Sequence, residues 1–254
     1  MIHPTAVIHA AAQIGLDCEI GPYCIIGEHV SLGPRNRLHS HVVIGGHTRV
    51  GEGNEIFPFT TVGLKTQDLK WAGGVTWTEI GNNNTIREGV TIHSATGVGE
   101  TTVIGSHNHI LAGSHIGHNV VLGNHIIVSK AGLAGHVIVE DHAVIGGMSA
   151  VHQFCRIGRM AIIGGCSKVV QDVPPFMLVD GNPGETRAIN KVGMERNGVS
   201  EEAQTALRQA FKILFREGLT ISNALARIEN ELPKLPEVEH LVNFVRTSER
   251  GISK

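Results

Sequence analysis

Histidine is the residue in this chain best suited to chemistry near neutral pH, with 16 copies among 254 residues. A histidine can take a proton at that pH, and a glycine N–H can donate to a developing oxyanion. Both types occur close together in three short segments, which contain His115, His118, Gly135, His136, His152 and Gln153. This grouping favours a site for general-base catalysis. The alternative, histidines scattered over a solvated surface, remains open from the residues alone.

A six-residue repeat contains these segments. Every sixth residue from Ile2 to Val62 is aliphatic, the next residue is often glycine, and the fourth after it is mostly small. The register resumes from Ile80 to Val128, with Val98 as its least certain member, because Gly97-Val98-Gly99 could equally form a loop. After a slip of one residue it runs from Leu133 to Val169. A period of six matches neither a helix nor a single strand.

The repeat is typical of short strands joined by tight corners. The aliphatic residue points inward, and we expect the glycine after it to relieve the corner backbone. Three hexads close one triangular coil, and successive coils stack as parallel strands at roughly 4.8 Å. The sequence therefore predicts an all-β parallel β-helix over residues 1–190.

Column positions in this prism bring the candidate residues together. Ile116, Leu133 and Val151 are three hexads apart, allowing for the slip. The residues two positions after them should stack on one outer face: His118, Gly135 and Gln153. His115, His136 and His152 should lie close to the same face.

An interruption at residues 65–79 predicts a projecting loop. It contains Trp71 and Trp77, the only two tryptophans. Exposed indoles usually cover something, so we expect this loop to pack on a neighbouring subunit rather than on its own prism. A prism filled with aliphatic side chains has no cleft of its own. Any site should therefore lie between copies, most naturally in a homotrimer.

A C-terminal α-helical domain is predicted over residues 191–254. Ser200 is a plausible N-cap, and apolar faces recur around Leu207, Leu225 and Leu241, with Gly218 and two prolines between them. Such short helices should pack on each other and cap the open end of the prism.

Composition excludes several classes of protein. The formal charge of −2 argues against a strongly basic nucleic-acid binder, and no apolar run is long enough to predict a membrane span. The first residues show no signal peptide, and the four cysteines form no CxxC pair. We expect a cytoplasmic protein without a metal or cofactor.

The chain resembles the bacterial UDP-N-acetylglucosamine O-acyltransferases that begin lipid A synthesis. The resemblance covers essentially the whole chain. Its most specific motifs, in this order, are QDLK at 67–70, VTIH at 90–93, HIGH at 115–118, LAGH at 133–136, IGGM at 145–148, HQFC at 152–155, GGCS at 164–167 and QDVPP at 171–175.

This resemblance implies a left-handed prism and a mechanism. His118 would take the proton from the glucosamine 3-hydroxyl, which attacks the thioester of a 3-hydroxyacyl chain on acyl carrier protein. The Gly135 N–H would hold the oxyanion. Further matching positions would contact the sugar, acyl chain or nucleotide: Asp68, Lys70, His93, His115, His136, His152, Gln153, Gly165, Asn190 and Arg196. Asp68 and Lys70 would reach a neighbour's site, and Gly165 would end the acyl channel.

Three positions depart from the family pattern. Asn119 stands where the best-known members carry an aspartate beside the base, and an asparagine cannot stabilise an imidazolium by charge. We expect a weaker base that remains active. Val192 and Asn197 replace a glutamate and an arginine at the nucleotide end, which leaves the sugar open between UDP-N-acetylglucosamine and a 3-amino analogue.

Three other readings are disfavoured. The sister N-acyltransferase of the pathway has an extra N-terminal domain, for which a repeat beginning at Ile2 leaves no room. A zinc-dependent hydratase on this fold needs a third histidine with matching spacing. A non-catalytic scaffold would favour a flat face of threonines. We also expect six basic residues to give the end of the prism and the tail a positive surface that attracts the acidic carrier protein, although they could be ordinary solvated charges: Arg156, Arg159, Lys168, Arg187, Lys191 and Arg196.

Overall fold

The computed structural model describes residues 1–254 as a long prism of short strands followed by four helices. The first strands are β1 (Val7–Ile8), β2 (Gln13–Ile14), β3 (Glu19–Ile20), β4 (Ile25–Ile26), β5 (Val30–Leu32), β6 (Arg37–Leu38), β7 (Val43–Ile44), β8 (His47–Val50), β9 (Glu55–Ile56), β10 (Thr61–Leu64), β11 (Trp77–Ile80), β12 (Thr85–Ile86), β13 (Thr91–His93) and β14 (Thr101–Ile104). The later ones are β15 (His109–Ile110), β16 (His115–Ile116), β17 (Val121–Leu122), β18 (Ile127–Val128), β19 (Gly132–Leu133), β20 (Ile138–Val139), β21 (Val144–Ile145), β22 (Ala150–Val151), β23 (Arg156–Ile157), β24 (Ile162–Ile163), β25 (Lys168–Val169), β26 (Met177–Asp180) and β27 (Glu185–Ile189).

Each strand pairs with the strand three positions later in the chain, so three parallel sheets form the faces of the prism. The first sheet runs from β1 through β4 to β25, the second from β2 through β5 to β23, and the third from β3 through β6 to β24 and β26. Within the first sheet Val7 is paired with Ile25, and Ile8 with Ile26. One coil of three strands therefore takes eighteen residues here, as the repeat predicts.

The aliphatic position of each hexad faces the interior. A single cluster of 36 buried residues runs along the axis, and Ile44, Ile86 and Ile110 within it are fully buried. The expectation fails at Val98, which is 73% exposed. Residues 94–100 form an excursion between β13 and β14, turning at Gly99 with a positive φ. The six-residue spacing at Val98 is therefore a coincidence.

The glycine that follows the aliphatic residue serves a different purpose from the expected one. Gly33, Gly51, Gly81 and Gly105 do not have positive φ values. A Cβ at each of them would instead lie 2.2–2.7 Å from a backbone oxygen of the next coil. Close stacking thus excludes a side chain at this position. The left-handed backbone mostly falls two residues later, and seventeen non-glycine residues of the chain have positive φ.

A ladder of buried asparagines lines the corner between the second and third sheets. Asn36, Asn54, Asn84 and Asn108 are each at most 1% exposed. Each side-chain oxygen accepts the backbone N–H of the residue one coil further on, over 2.8–2.9 Å. These bonds satisfy amides that would be costly to bury alone, and they fix the register between coils.

The helices follow the predicted order, with one more than expected. They are α1 (Lys191–Arg196), α2 (Glu201–Phe215), α3 (Ile221–Glu231) and α4 (Pro236–Arg246). Ser200 is the N-cap of α2, as predicted, and its side chain accepts from the Ala203 N–H. No helix is long and apolar enough to cross a membrane.

The helices and the end of the prism share a second core. Seventeen buried residues, from Phe176 and Met177 of the prism to Leu207 and Leu241 of the helices, form one cluster. The antiparallel pair β26 and β27, which the repeat did not predict, connects the two parts. Residues 251–253 then return to the last coil. Asp172 donates its N–H to the Gly251 oxygen and accepts from the Ser253 N–H.

Replacing Gly105 with alanine should lower the free energy of unfolding by about 1–3 kcal/mol, because its Cβ would lie 2.2 Å from the Gly123 oxygen. Gly132→Ala is the matched control, since a Cβ there meets nothing within 4 Å. Urea unfolding followed by circular dichroism measures both. Equal midpoints for the two variants would contradict the close-stacking explanation.

Candidate active site

One corner of the prism, between the first and second sheets, brings the chemical residues together. His118 follows β16, Gly135 follows β19 and Gln153 follows β22. Because Ile116 is paired with Leu133 and Leu133 with Val151, these three residues stack in one column, as the spacing predicts. The same corner carries both irregular segments, the loop after β10 and the excursion after β13.

An open groove of about 550 Å³ lies over this column. It is lined by residues of four coils and of the loop: Gln67, Asp68, Leu69, Lys70, His93, His115, Gly117, His118, Ala134, Gly135 and Gln153. Seven of the residues singled out in the sequence for substrate contact or catalysis, Gln153 among them, therefore share a single surface.

The loop spans residues 65–76 and lies against its own prism. Trp77 already belongs to β11, where the Arg49 guanidinium sits 4.3 Å from its ring centre. Trp71 is covered similarly by the Lys65 ammonium. Each indole is thus partly covered by a cation of its own chain, and the packing of the loop on a neighbouring subunit stays a prediction. The fully exposed Leu69 is the apolar residue that the loop leaves open.

Asp68 faces the histidine of its own chain, and its reach to a neighbour's site stays a prediction. Its Oδ2 lies 3.7 Å from His118 Nε2. The Thr66 hydroxyl accepts the Asp68 N–H and bonds the Thr96 hydroxyl, and Asp68 Oδ1 accepts the Lys70 N–H. These bonds tie the loop to the excursion and hold the carboxylate beside the imidazole.

Hydrogen bonds around Asn119 determine the tautomer of His118. Asn119 Oδ1 accepts the Thr96 backbone N–H over 3.0 Å, and Asn119 Nδ2 donates to Glu100 Oε2 over 2.6 Å. A backbone N–H can only donate and a carboxylate can only accept, so the amide has one orientation. His118 Nδ1 must therefore donate to Asn119 Oδ1 over 3.0 Å. The lone pair is left on Nε2, on the side of the groove.

Gly135 lies against the edge of this imidazole. A Cβ at Gly135 would fall 2.3 Å from both Cε1 and Nε2 of His118. The Gly135 N–H makes no hydrogen bond within the chain. A free backbone donor thus stands beside the basic nitrogen, and only glycine fits there.

Hydrogen bonds orient two further histidines in the groove. His115 bonds the Thr91 hydroxyl over 2.8 Å, and burial, followed by the nearby His93 and His118, lowers its pKa. His93 donates from Nδ1 to the Lys65 carbonyl. Uncharged imidazoles can both donate to and accept from a hydroxylated ligand.

His136 and His152 lie at the margin of the groove. The His136 ring contacts the His118 ring edge-on at 5.2 Å and stacks on Phe154. Burial, then His118, lowers the pKa of His136. His152 is exposed and bonds the carbonyl of Gln153.

Three predicted site residues lie elsewhere in the chain. Gly165 occupies the corner between the third and first sheets, where a Cβ would be 3.3 Å from the Gly147 oxygen. Asn190 is the buried N-cap of α1, and its side chain bonds Gly193 N–H and the Met160 oxygen. Arg196 is exposed at the end of the same helix. A single chain does not bring these residues to His118.

The six basic residues expected to attract an acidic partner are mostly engaged within the chain. Arg187 and Lys191 pair with Glu185 and Glu195. The guanidinium groups of Arg156 and Arg159 lie over the rings of Phe244 and Phe176. No group of three or more His, Cys, Asp or Glu side chains is arranged to hold a metal ion.

Known proteins similar to this chain match it over its full length. An acyl-[acyl-carrier-protein]–UDP-N-acetylglucosamine O-acyltransferase of Thermodesulfovibrio yellowstonii is 49% identical over 255 residues, covering 100% of this chain and 99% of the relative. This chain belongs to that O-acyltransferase family. A relative of the same name from Akkermansia muciniphila is 48% identical over 98% of both chains. A family profile described as "Udp N-acetylglucosamine O-acyltransferase; Domain 2" matches residues 172–253.

Solved structures of the O-acyltransferase family share the architecture. LpxA from Acinetobacter baumannii superimposes with a TM-score of 0.96 at 46% identity, covering 100% of this chain and 99% of that one. LpxA from Bacteroides fragilis superimposes with a TM-score of 0.98 at 39% identity over the whole of both chains. The expected left-handed parallel β-helix with a helical C-terminal domain is confirmed.

Sequence reasoning missed two residues that hold Asn119 beside the groove. Glu100 and Thr96 reach Asn119 from the excursion that the repeat had absorbed as the Val98 hexad. The glycines at 97 and 99 left a loop open at this point in the sequence, and the structure confirms that alternative, but they gave no sign of a contact with Asn119.

The neutral state of His115 can be measured directly. In histidine-labelled protein we expect its ring resonances to titrate with a midpoint below the ordinary value of 6.5. Because the folded-state pKa is the lower one, its contribution to stability is present above the unfolded value and is lost as the pH falls through the folded-state pKa. An NMR midpoint at or above 6.5 would show that burial does not govern this ring.

Proposed function

We propose that this chain transfers a 3-hydroxyacyl group from acyl carrier protein to the 3-hydroxyl of UDP-N-acetylglucosamine, the first step of lipid A synthesis. The observation that carries the proposal is the Nε2 lone pair of His118 facing an open groove beside the free N–H of Gly135. The curated relatives are named for the same acyl donor and sugar nucleotide. The cytoplasm, which supplies both substrates, is the proposed location.

The reaction uses His118 as a general base. Its Nε2 takes the proton of the sugar hydroxyl while the hydroxyl oxygen forms a bond to the thioester carbonyl carbon. The carbonyl oxygen becomes an oxyanion, which the Gly135 N–H stabilises. When the carbonyl re-forms, the carbon–sulfur bond breaks, and the carrier-protein thiolate recovers the proton from His118.

Asp68 supplies the charge that Asn119 lacks. A neutral amide oxygen orients the imidazole but adds no net charge, whereas the Asp68 carboxylate lies 3.7 Å from the nitrogen that becomes protonated. The separation exceeds a hydrogen bond, which leaves room for the substrate hydroxyl to reach Nε2. Asp68 then stabilises the imidazolium formed during the reaction.

The remaining predicted contacts imply more than one copy of the chain. Gly165 lies on a different corner from His118, and Asn190 and Arg196 lie at the start of the helical domain. The groove beside His118 is open to one side. We propose a homotrimer in which this groove faces the Gly165 corner and helical domain of a second copy, which complete the acyl and nucleotide sites.

Removing the proposed base tests the function. His118→Ala should lower kcat for acyl transfer from 3-hydroxyacyl carrier protein to UDP-N-acetylglucosamine by at least about 100-fold. His109→Ala is the matched control, because that exposed histidine lies on β15 of the third sheet. Mass spectrometry of the acylated sugar nucleotide gives the rates. Equal rates for the two variants would remove His118 from the mechanism.

A mixing experiment tests the shared site. His118→Ala lacks the base, and Gly165→Trp should block the acyl channel, so each variant alone should be nearly inactive. Trimers reassembled from equal amounts should regain about a quarter of the wild-type activity, because one site in four then combines an intact residue from each copy. Sedimentation equilibrium checks the trimer, expected at three times 27.1 kDa. No recovery in reassembled trimers would place both residues in a site within one chain.

A further inference from the structure

Asn119 lies at the centre of a hydrogen-bonded chain that runs from the catalytic histidine to a carboxylate. His118 Nδ1 donates to Asn119 Oδ1, and Asn119 Nδ2 donates to Glu100 Oε2. The Gly97 N–H donates to the same carboxylate oxygen over 2.9 Å. The amide is also pinned by its backbone, since the Asn119 N–H donates to the Thr102 hydroxyl over 2.8 Å.

An amide beside a general base creates an orientation problem that a carboxylate does not have. The two oxygens of a carboxylate are equivalent, but the two ends of an amide are an acceptor and a donor. If the Asn119 amide turned over, its NH₂ group would face His118 Nδ1. That nitrogen would then have to accept, and the proton would move to Nε2, which could no longer receive one from a substrate.

We propose that Glu100 is a positioning residue for acyl transfer, which holds the Asn119 amide in the orientation that keeps His118 basic at Nε2. The proposal rests on the role of His118 given above. The 2.6 Å bond from Asn119 Nδ2 to a carboxylate is charge-assisted, so it favours the observed orientation over the reversed one, in which two oxygens would meet. The negative charge also polarises the amide, which makes Oδ1 a stronger acceptor for the imidazole N–H.

The carboxylate is present at the pH of the reaction. The hydrogen bond from Asn119, followed by that from the Gly97 N–H, lowers the pKa of Glu100. Glu100 itself is exposed and belongs to the excursion rather than to a strand. The excursion therefore brings both partners of the amide, the Thr96 N–H and the Glu100 carboxylate, to one side chain.

A purely structural role is the competing explanation, because Glu100 also holds the Gly97 turn. A double-mutant cycle separates the two roles. In the wild-type background, Glu100→Ala should lower kcat about tenfold, with the KM of both substrates unchanged. In the Asn119→Asp background, residue 119 has two equivalent oxygens and its own charge. There, Glu100→Ala should change kcat by less than about twofold, or raise it by removing a repulsive carboxylate.

Each other outcome overturns the proposal. An unchanged kcat for Glu100→Ala would show that the amide needs no carboxylate. An equal loss in both backgrounds would assign Glu100 to the turn alone. Inactivity of both Asn119→Asp and the double variant would show that the side chain at 119 does not act through orientation and charge. Glu19→Gln, which removes an exposed carboxylate paired with Arg37, is the control and should keep the wild-type rate.

A spectroscopic measurement distinguishes failure of this proposal from failure of the proposed function. The ¹⁵N shifts of the His118 ring report its tautomer without any substrate. We expect protonation at Nδ1 in the wild type and a mixture of tautomers in Glu100→Ala. If the wild type makes no acylated UDP-N-acetylglucosamine but shows this change, the function fails and the positioning role stands. If the tautomer is the same in both proteins, the positioning role fails whatever the activity.

Discussion

Coil-on-coil stacking is the constraint on which the rest of the molecule depends. Each strand hydrogen-bonds to the strand one coil away, so residues at equivalent corner positions are forced into columns about 4.8 Å apart. A column converts residues that are distant in the chain into neighbours without any cleft. His118, Gly135 and Gln153 become one continuous surface in this way. Neither of the other two corners carries a loop or excursion of comparable length within the parallel coils, and the glycines and buried asparagines of the corner between the second and third sheets hold the coils together.

Much of the fold could be predicted because the repeat is a direct record of this stacking. The period of six gave the strands, the pairing of Ile116 with Leu133 and the column that contains His118. The repeat was misleading where a segment leaves the prism. The excursion adds six residues between Ile92 and Ile104, so the six-residue spacing continues through the exposed Val98. The role of the corner glycines was also misassigned, because the distance to the next coil is a tertiary quantity that one chain segment does not encode.

The site depends on contacts that spacing alone could not give. Asp68 and Glu100 approach the histidine and its amide partner from segments with no repeat, and each places a carboxylate beside a pair of side chains, His118 and Asn119, that contains none. The predicted loss of base strength at His118 considered residue 119 alone and left these two carboxylates out; it stays a prediction. The Asp68 carboxylate lies beside Nε2 of the imidazole, and the Glu100 carboxylate bonds the amide on its Nδ1 side. The negative charge near His118 is therefore divided between two segments of the chain.

The return of residues 251–253 to Asp172 has a consequence for biosynthesis. A parallel β-helix can wind from its first coil as soon as the chain leaves the ribosome, because all of its partners lie one coil behind. The advancing rim carries unpaired backbone groups that could recruit a strand from another nascent chain. Here β26 and β27 cover one side of the rim early, but the part at residues 171–172 stays uncovered until about eighty further residues have been made and the returning segment has paired with it. A chain terminated within the helices would therefore keep unpaired backbone groups at the end of an otherwise complete β-helix.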